Sequence, residues 1–328
     1  MLPFSQSDIF SVKEQNFNEL GIEIFQWQAI QNPVYGKYLQ LLNILPADIS
    51  KVEDIPYLPI EFFKTHRVTV YKDLDINTYF ESSATTGQKT SKHYFSNLNF
   101  YNKAFRLGFE LQYGNPKNWC ILALLPNYLE RQNSSLVSMV KDLIDASERE
   151  SSGFYLYEHQ KLLDQILENE RMGIPTLLFG VSYALLDFGQ IVTPGFKHLT
   201  IIETGGMKGR RREITRQELH SQLRHNFGNI PIHSEYGMTE LFSQAYSKDG
   251  KTFVCPDWMK ITTCELDDPF QRAGLGKNGL IRVMDFANIE SCSFIATSDI
   301  GKLYKDGRFE VLGRFDHSEQ RGCNLLLF

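Results

Sequence analysis

Residues 230–241 read Ile-Pro-Ile-His-Ser-Glu-Tyr-Gly-Met-Thr-Glu-Leu. The apolar start, 230–233, reads as a short strand. It runs into Ser234-Glu235-Tyr236-Gly237-Met238-Thr239-Glu240, which combines an aromatic ring, a glycine, a hydroxyl and a carboxylate. A ring can stack on a flat base, a glycine lets a phosphate approach the backbone, and a carboxylate oxygen suits Mg²⁺. The texture of the chain also changes here, and that change decides the fold class.

Upstream, helical and strand patterns alternate. Residues 13–43 carry apolar positions near a 3.6 period with a break at Asn32-Pro33, and 55–68 is a proline-marked extended segment. Helices follow at 96–113, 134–146 and 157–172, the last closed by Gly173. Apolar strands follow at 119–125, 176–181 and 198–203. Thr215-Arg216-Gln217-Glu218 is a capping box for a helix that stops at Gly228. Downstream of 229, short strands dominate, at 243–246, 252–255, 261–265, 280–285, 292–297, 302–304 and 309–312. Lys305-Asp306-Gly307-Arg308 is a hairpin signal. The fold class is therefore α/β, a helix-covered, mostly parallel sheet followed by a β-rich C-terminal part. The expected division is 1–228 for the α/β region with a phosphate loop, 229–312 for the β-rich part of the same domain, and 313–328 for the remnant of a hinge to an absent small C-terminal domain. Ligands of such sheets bind past the carboxyl ends of strands.

Bulk properties narrow the function. The chain has 328 residues, 42% of them hydrophobic, enough for a large core. A net charge of −5 with a pI near 5.9 lacks the basic footprint of a nucleic-acid binder. The basic run Lys208-Gly209-Arg210-Arg211-Arg212 is either a solvated loop or one that faces a phosphate or a partner. Five scattered cysteines with no CxxC argue against a disulfide framework or zinc site and for a reducing, cytoplasmic compartment. No signal-peptide pattern opens the chain, and no apolar run approaches the ~20 residues of a membrane helix.

Four further segments carry chemistry. Residues 82–92, SSATTGQKTSK, offer hydroxyls, backbone N–H groups, a glycine and two lysines, a set that can wrap a phosphate or form a polar surface turn. They do not fit GxxxxGK[ST], because position 82 is Ser and Gln88 separates Gly87 from Lys89, so a P-loop NTPase is disfavoured. Glu203-Thr204-Gly205-Gly206-Met207 puts a glycine pair at a strand end, where backbone can lie against a base. Thr297-Ser298-Asp299-Ile300-Gly301 places an acid suited to ribose hydroxyls, and Gly313-Arg314-Phe315-Asp316 follows the last hairpin. His66 and His233 read as surface or packing histidines. The aromatics of 95–113 read as core, with an acyl-pocket lining as the alternative.

In this order, the five segments resemble the acyl-adenylate-forming superfamily of acyl-CoA synthetases, adenylation domains and luciferase-like enzymes. Residues 82–89 are similar to its SSGTTG-x-PK loop. Residues 236–240 match YGxTE, 297–299 correspond to TGD and 313–316 to GRxD. SEYGMTEL and the ending GRFDHSEQRGCNLL look closest to the LuxE-like acyl-protein synthetases, with phenylacetate–CoA ligases as cousins. The resemblance implies ATP and Mg²⁺ as cofactors and a carboxylic acid, favoured to be fatty, as substrate. It implies that Ser83, Thr85, Thr86, Gly87 and Lys89 hold the β- and γ-phosphates, and that Gly205, Gly206 and Met207 flank the adenine opposite Tyr236. Ser234 would place a polar group on the base, with Gly237 beside the phosphate. Thr239 would touch the α-phosphate, Glu240 would hold Mg²⁺, and Asp299 and Arg314 would bind ribose. The product, an acyl-AMP, would pass its acyl group to a thiol on the protein itself, on an acceptor protein or on coenzyme A.

The match departs from the family pattern in three places. Ala84 replaces a glycine and Gln88-Lys89 replaces x-Pro-Lys. Only about twelve residues follow Asp316, where relatives carry a small C-terminal domain with a catalytic lysine. That leaves adenylation without this lysine, Lys89 or Lys92 in its place, a lysine from a partner chain, or a subunit that binds nucleotide or acyl carrier without adenylating. Third, Cys323, beside Arg321, falls where the luminescence family places the acyl-accepting cysteine, or else is a small buried residue of a terminal strand.

Overall fold

The computed structural model describes residues 2–71, 76–83, 89–126, 133–205 and 214–315. At the N-terminus, α1 (Gln6–Phe10) precedes α2 (Glu14–Gln31) and α3 (Pro33–Leu41). The break between the last two falls at Asn32, whose side chain accepts from the N–H groups of Val34 and Tyr35 at 3.0 and 3.1 Å and caps α3, with Pro33 at its first position. Next come β1 (Leu58–Pro59), the single turn α4 (Phe62–Thr65), β2 (Tyr79–Glu81) and β3 (Lys92–Tyr94). The 55–68 stretch is thus extended only at its start. The helical turn begins past the last proline, where the restriction on the backbone ends.

The central layer follows: α5 (Asn99–Tyr113), β4 (Cys120–Leu124), α6 (Ser135–Ser147), β5 (Gly153–Phe154), α7 (His159–Met172), β6 (Thr176–Val181), α8 (Ser182–Gly189), β7 (Leu199–Thr204), α9 (Arg216–Phe227), β8 (Ile232–Tyr236) and β9 (Ala245–Ser247). The strands form one sheet in the order β5-β4-β6-β7-β8-β9, parallel except for β9. Every residue of β4, β6 and β7 is buried, as a sheet covered on both faces requires. Gly173 closes α7 at φ 68°, a left-handed position that costs glycine little. The Thr215 capping box is formed. Helix α8 has no counterpart in the sequence pattern, because its eight residues, SYALLDFG, are almost all buried and show no polar face.

A second sheet contains β10 (Met259–Cys264), β11 (Asn278–Asp285), β12 (Phe294–Leu303) and β13 (Phe309–Arg314), with β1 pairing in parallel at Leu58↔Ile295 and Pro59↔Ala296. The Asp306-Gly307 turn joins β12 to β13 as predicted, with Gly307 at φ 80°. Two sequence-based boundaries move. Strand β8 extends through Tyr236, so Ser234, Glu235 and Tyr236 lie within it, paired to β7 and β9. The two strands expected at 292–297 and 302–304 merge into one, β12 (Phe294–Leu303), whose register shifts between Ile300 and Gly301. Residues 252–255 form only isolated bridges, Phe253 to Phe309 and Val254 to Tyr246. The aromatic face of α5 is core, with Phe105 and Phe109 fully buried. No helix among the described residues is long and apolar enough to cross a membrane.

Candidate nucleotide and acyl-transfer site

Strands β2 and β3 pair antiparallel on either side of the serine-threonine stretch. The base of this hairpin is locked by reciprocal bonds. The Ser82 N–H donates to the Ser91 carbonyl at 3.0 Å, and the Ser91 N–H donates to the Ser82 hydroxyl at 2.8 Å. Thr90 donates to Glu81 at 2.5 Å. Ser83 and Lys89 are exposed on the two arms. Thr85, Thr86 and Gly87 lie outside the described residues, as do Gly206, Met207 and Cys323.

The hairpin base meets the segment that follows β8. The buried Ser91 hydroxyl lies near enough to the Glu240 carboxylate to favour its charged form. Burial pushes the Glu240 carboxyl up, and the Ser91 hydroxyl with the charges of Arg314 and Lys64 pulls the other way. His93, on β3, makes a second link. Its Nδ1 lies 3.0 Å from the Thr239 carbonyl and its Nε2 2.7 Å from the Ser291 hydroxyl. A carbonyl only accepts, so Nδ1 carries the proton and Nε2 accepts from Ser291. The ring stacks on Phe242 at 4.5 Å and meets Phe63 edge-on at 5.6 Å. Burial lowers its pKa to about 4, which keeps it neutral.

Asp285 and Asn288 hold the same segment from below. The Asp285 carboxylate accepts from the N–H groups of Phe242, Ser243 and Ala287 at 2.9–3.1 Å, and from the Ser243 hydroxyl at 2.7 Å. Asn288 donates to the Glu240 carbonyl at 2.8 Å and accepts from Phe242 N–H at 2.9 Å. Burial pushes the Asp285 carboxyl up to about 6 against these bonds. Neither residue, nor His93, carried a sequence signal. Their partners are mostly backbone groups, which no motif records.

Tyr236 ties the two sheets together. Its hydroxyl donates to Asp299 Oδ2 at 2.9 Å, and Arg314 Nε lies 3.5 Å from Asp299 Oδ1, its register partner across β12 and β13. The Tyr236 ring packs against Phe253 and Phe309. A Cβ at Gly237 would stand 2.3 Å from Glu235 Oε1, so the Glu235 carboxyl would have to shift to admit one. At the end of β7, Gly205 takes φ 69°, and its carbonyl accepts from the Ser182 hydroxyl at 2.8 Å.

So the structure brings together the hairpin carrying Ser83 and Lys89, Thr239, Glu240, Tyr236, Asp299 and Arg314. Ser234 differs. It sits two residues deeper on the Tyr236 face of β8, fully buried, with its hydroxyl 3.1 Å from His220 Nε2. Glu203 joins this cluster, 3.4 Å from Arg216 and 3.5 Å from His220. Burial raises the Glu203 carboxyl, but His220 and Arg216 outweigh it and hold it below the usual range. His66 is exposed and stacked on Phe62, and His233 lies 3.3 Å from the Tyr113 hydroxyl, both in packing roles. Among the described residues no group of three or more His, Cys, Asp or Glu could enclose a metal. Glu240 beside the Ser91 hydroxyl is an oxygen donor set that fits Mg²⁺ only where phosphates supply further ligands.

The family model described as acyl-protein synthetase, LuxE, matches residues 3–328. No curated protein matches the chain in sequence. Among solved structures, ATP-bound MatB from Rhodopseudomonas palustris is similar at a TM-score of 0.54 and 17% identity, over 73% of this chain and 48% of that one. A 2-hydroxyisobutyryl-CoA ligase in complex with 2-HIB-AMP and CoA is similar at a TM-score of 0.69 and 12% identity, over 97% of this chain and 73% of that one. The chain thus spans about half the length of the first, and both likenesses establish the fold.

Proposed function

The chain belongs to the acyl-protein synthetase LuxE family, and from that premise we propose that it activates a carboxylic acid, a fatty acid by preference, with ATP and transfers the acyl group to a thiol. One observation carries the reading. The Ser82–Ser91 hairpin base, the Thr239-Glu240 pair and the Tyr236–Asp299–Arg314 cluster meet around one region although they are far apart in the chain.

Each group has a role in that chemistry. Asp299, oriented by Tyr236 and Arg314, accepts from ribose hydroxyls. Gly205 and Tyr236 border the adenine, and Gly237 leaves the backbone open to phosphate. Thr239, its carbonyl fixed by His93, is aligned with the α-phosphate. Ser83, Thr85, Thr86, Gly87 and Lys89 would hold the β- and γ-phosphates, and Glu240 would hold Mg²⁺, which would supply charge neutralisation there. A substrate carboxylate oxygen then bonds to the α-phosphorus while the bond to pyrophosphate breaks. Attack of one anion on another is feasible only when fixed donors and cations cancel the charge. A thiolate next bonds to the acyl carbon and AMP leaves. Cys323 is the acceptor in this reading, with a carrier protein or coenzyme A as the alternative thiol. A cytoplasmic setting accords with the free thiols of Cys120, Cys255, Cys264 and Cys292.

Exchange of labelled pyrophosphate into ATP, across a panel of carboxylic acids, tests the first step. Exchange with at least one acid is expected, and none with any acid overturns the reading. Mass spectrometry after incubation with ATP and fatty acids should find an acyl adduct at Cys323 that Cys323→Ser abolishes.

A further inference from the structure

We infer that Lys64, on the single turn α4, is a cation of the nucleotide site that faces the phosphate chain of ATP. The inference rests on the function proposed above and adds a residue to it. Three contacts fix where α4 stands. The Ile60 N–H donates to the Ala296 carbonyl at 2.9 Å, extending the β1–β12 pairing to the edge of the turn. The Ser298 hydroxyl donates to Glu61 Oε1 at 2.9 Å, one residue before Asp299. Phe63, fully buried, meets the edge of His93, the ring that holds the Thr239 carbonyl. The turn is therefore wedged between the strand that carries Asp299 and the hairpin that carries His93.

Lys64 lies between the wedge and solvent. It follows the buried Phe63, is itself exposed, and no carboxylate among the described residues forms an ion pair with it. Its charge nevertheless reaches the Glu240 carboxylate, alongside that of Arg314. An exposed lysine costs little to leave unpaired. A lysine whose charge acts on a buried carboxylate assigned to a metal–triphosphate adds a compact, mobile positive charge where negative charge is densest. Of the hairpin's two lysines, Lys92 is engaged elsewhere, since its Nζ lies 4.4 Å over the Tyr79 ring.

The test uses the full chain with Lys64→Met, Lys64→Arg and a surface control, Lys37→Met, whose wild-type partner is Gln40 on α3. Calorimetry measures ATP and AMP binding, and labelled pyrophosphate measures exchange. Lys64→Met should weaken ATP by roughly tenfold or more, the range for one charge-assisted contact, and leave AMP within about twofold. Exchange should fall by at least as much, Lys64→Arg should recover most of it, and Lys37→Met should match wild type. Equal losses for ATP and AMP, or unchanged ATP binding, overturn the assignment of Lys64 while wild-type exchange still supports the enzyme. Wild type without exchange overturns both. Thermal unfolding of Lys64→Met close to wild type separates loss of a contact from loss of the fold.

Discussion

Replacing Glu235 by Gln should abolish a steep fall of stability with pH. Glu235 lies on β8 beside Tyr236 and is buried. It accepts a hydrogen bond from the Thr204 hydroxyl and lies opposite Tyr246 on β9. Burial pushes its carboxyl up to about 7 from 4.5, the Thr204 bond opposes this, and the Glu203 charge adds to the rise. The folded protein therefore keeps a proton between about pH 4.5 and 7 that the unfolded chain has released. The stability this provides is fully present below pH 4.5 and is lost as pH rises through 7. Each tenfold difference in proton affinity between the folded and unfolded chains is worth about 1.4 kcal/mol. The loss is therefore about 3 kcal/mol in all, and about 2–3 kcal/mol between pH 5 and 8.

Urea unfolding of wild type and Glu235→Gln at pH 5 and pH 8 measures it. The wild type should lose about 2–3 kcal/mol more than the variant across that interval. Other buried groups titrate in the same window. Asp285, raised to about 6, acts in the same direction, and His93 and His233, lowered to about 4, act oppositely. All three are common to both proteins and cancel in the difference. Any constant cost of the amide, which keeps an oxygen for Thr204, shifts the variant's stability equally at both pH values. Parallel pH dependence within about 0.5 kcal/mol, near the limit of such extrapolations, would refute a carboxyl held neutral by burial.

Three further outcomes follow from named contacts. Tyr236→Phe removes the hydroxyl that orients Asp299 and should weaken AMP binding by about tenfold in calorimetry, the scale of one hydrogen bond to a charged group. His93→Phe keeps the stack on Phe242 but leaves the Thr239 carbonyl without its side-chain partner and Ser291 with only its 3.4 Å bond to the Asn288 carbonyl. Pyrophosphate exchange should fall, with about 1–3 kcal/mol lost in urea unfolding. Glu240→Gln should abolish Mg²⁺-dependent exchange while changing stability by less than about 1 kcal/mol, since the amide keeps an acceptor oxygen beside the Ser91 hydroxyl and burial no longer opposes a charge.

The alternating half of the chain was legible because its strands are continuous apolar runs and its helices carry caps and glycine stops. Thr215, Gly173 and Gly228 act where local chemistry places them. Legibility failed where tertiary pairing overrides local pattern. Ser234 and Glu235 are polar residues drawn into β8 because β7 and β9 satisfy their backbone on both sides. Thr297-Ser298-Asp299 looked like a strand end because it is polar, yet β11 and β13 pair β12 on both sides of it. The five motifs pointed to one region, but the residues that hold it together did not. His93, Asp285 and Asn288 act on backbone groups 42 to 146 positions away in the chain.

Within the motif around Tyr236, adjacent residues do different work, and the physical reason is the two-residue period of a strand. Ser234 and Tyr236 share one face of β8. The deeper residue is spent on the His220–Glu203 cluster, and only Tyr236 reaches Asp299 at the strand end. Glu235 points to the opposite face, and its carboxylate folds back over position 237 so closely that it would have to shift to admit a Cβ there. Gly237 therefore answers a packing demand from inside the protein as well as any demand for phosphate to approach from outside. A motif match cannot separate the two. In this chain a variant at Gly237 would disturb Glu235 before it touched a ligand, whereas Tyr236→Phe removes a single hydroxyl at the rim, which makes it the cleaner probe of the nucleotide site.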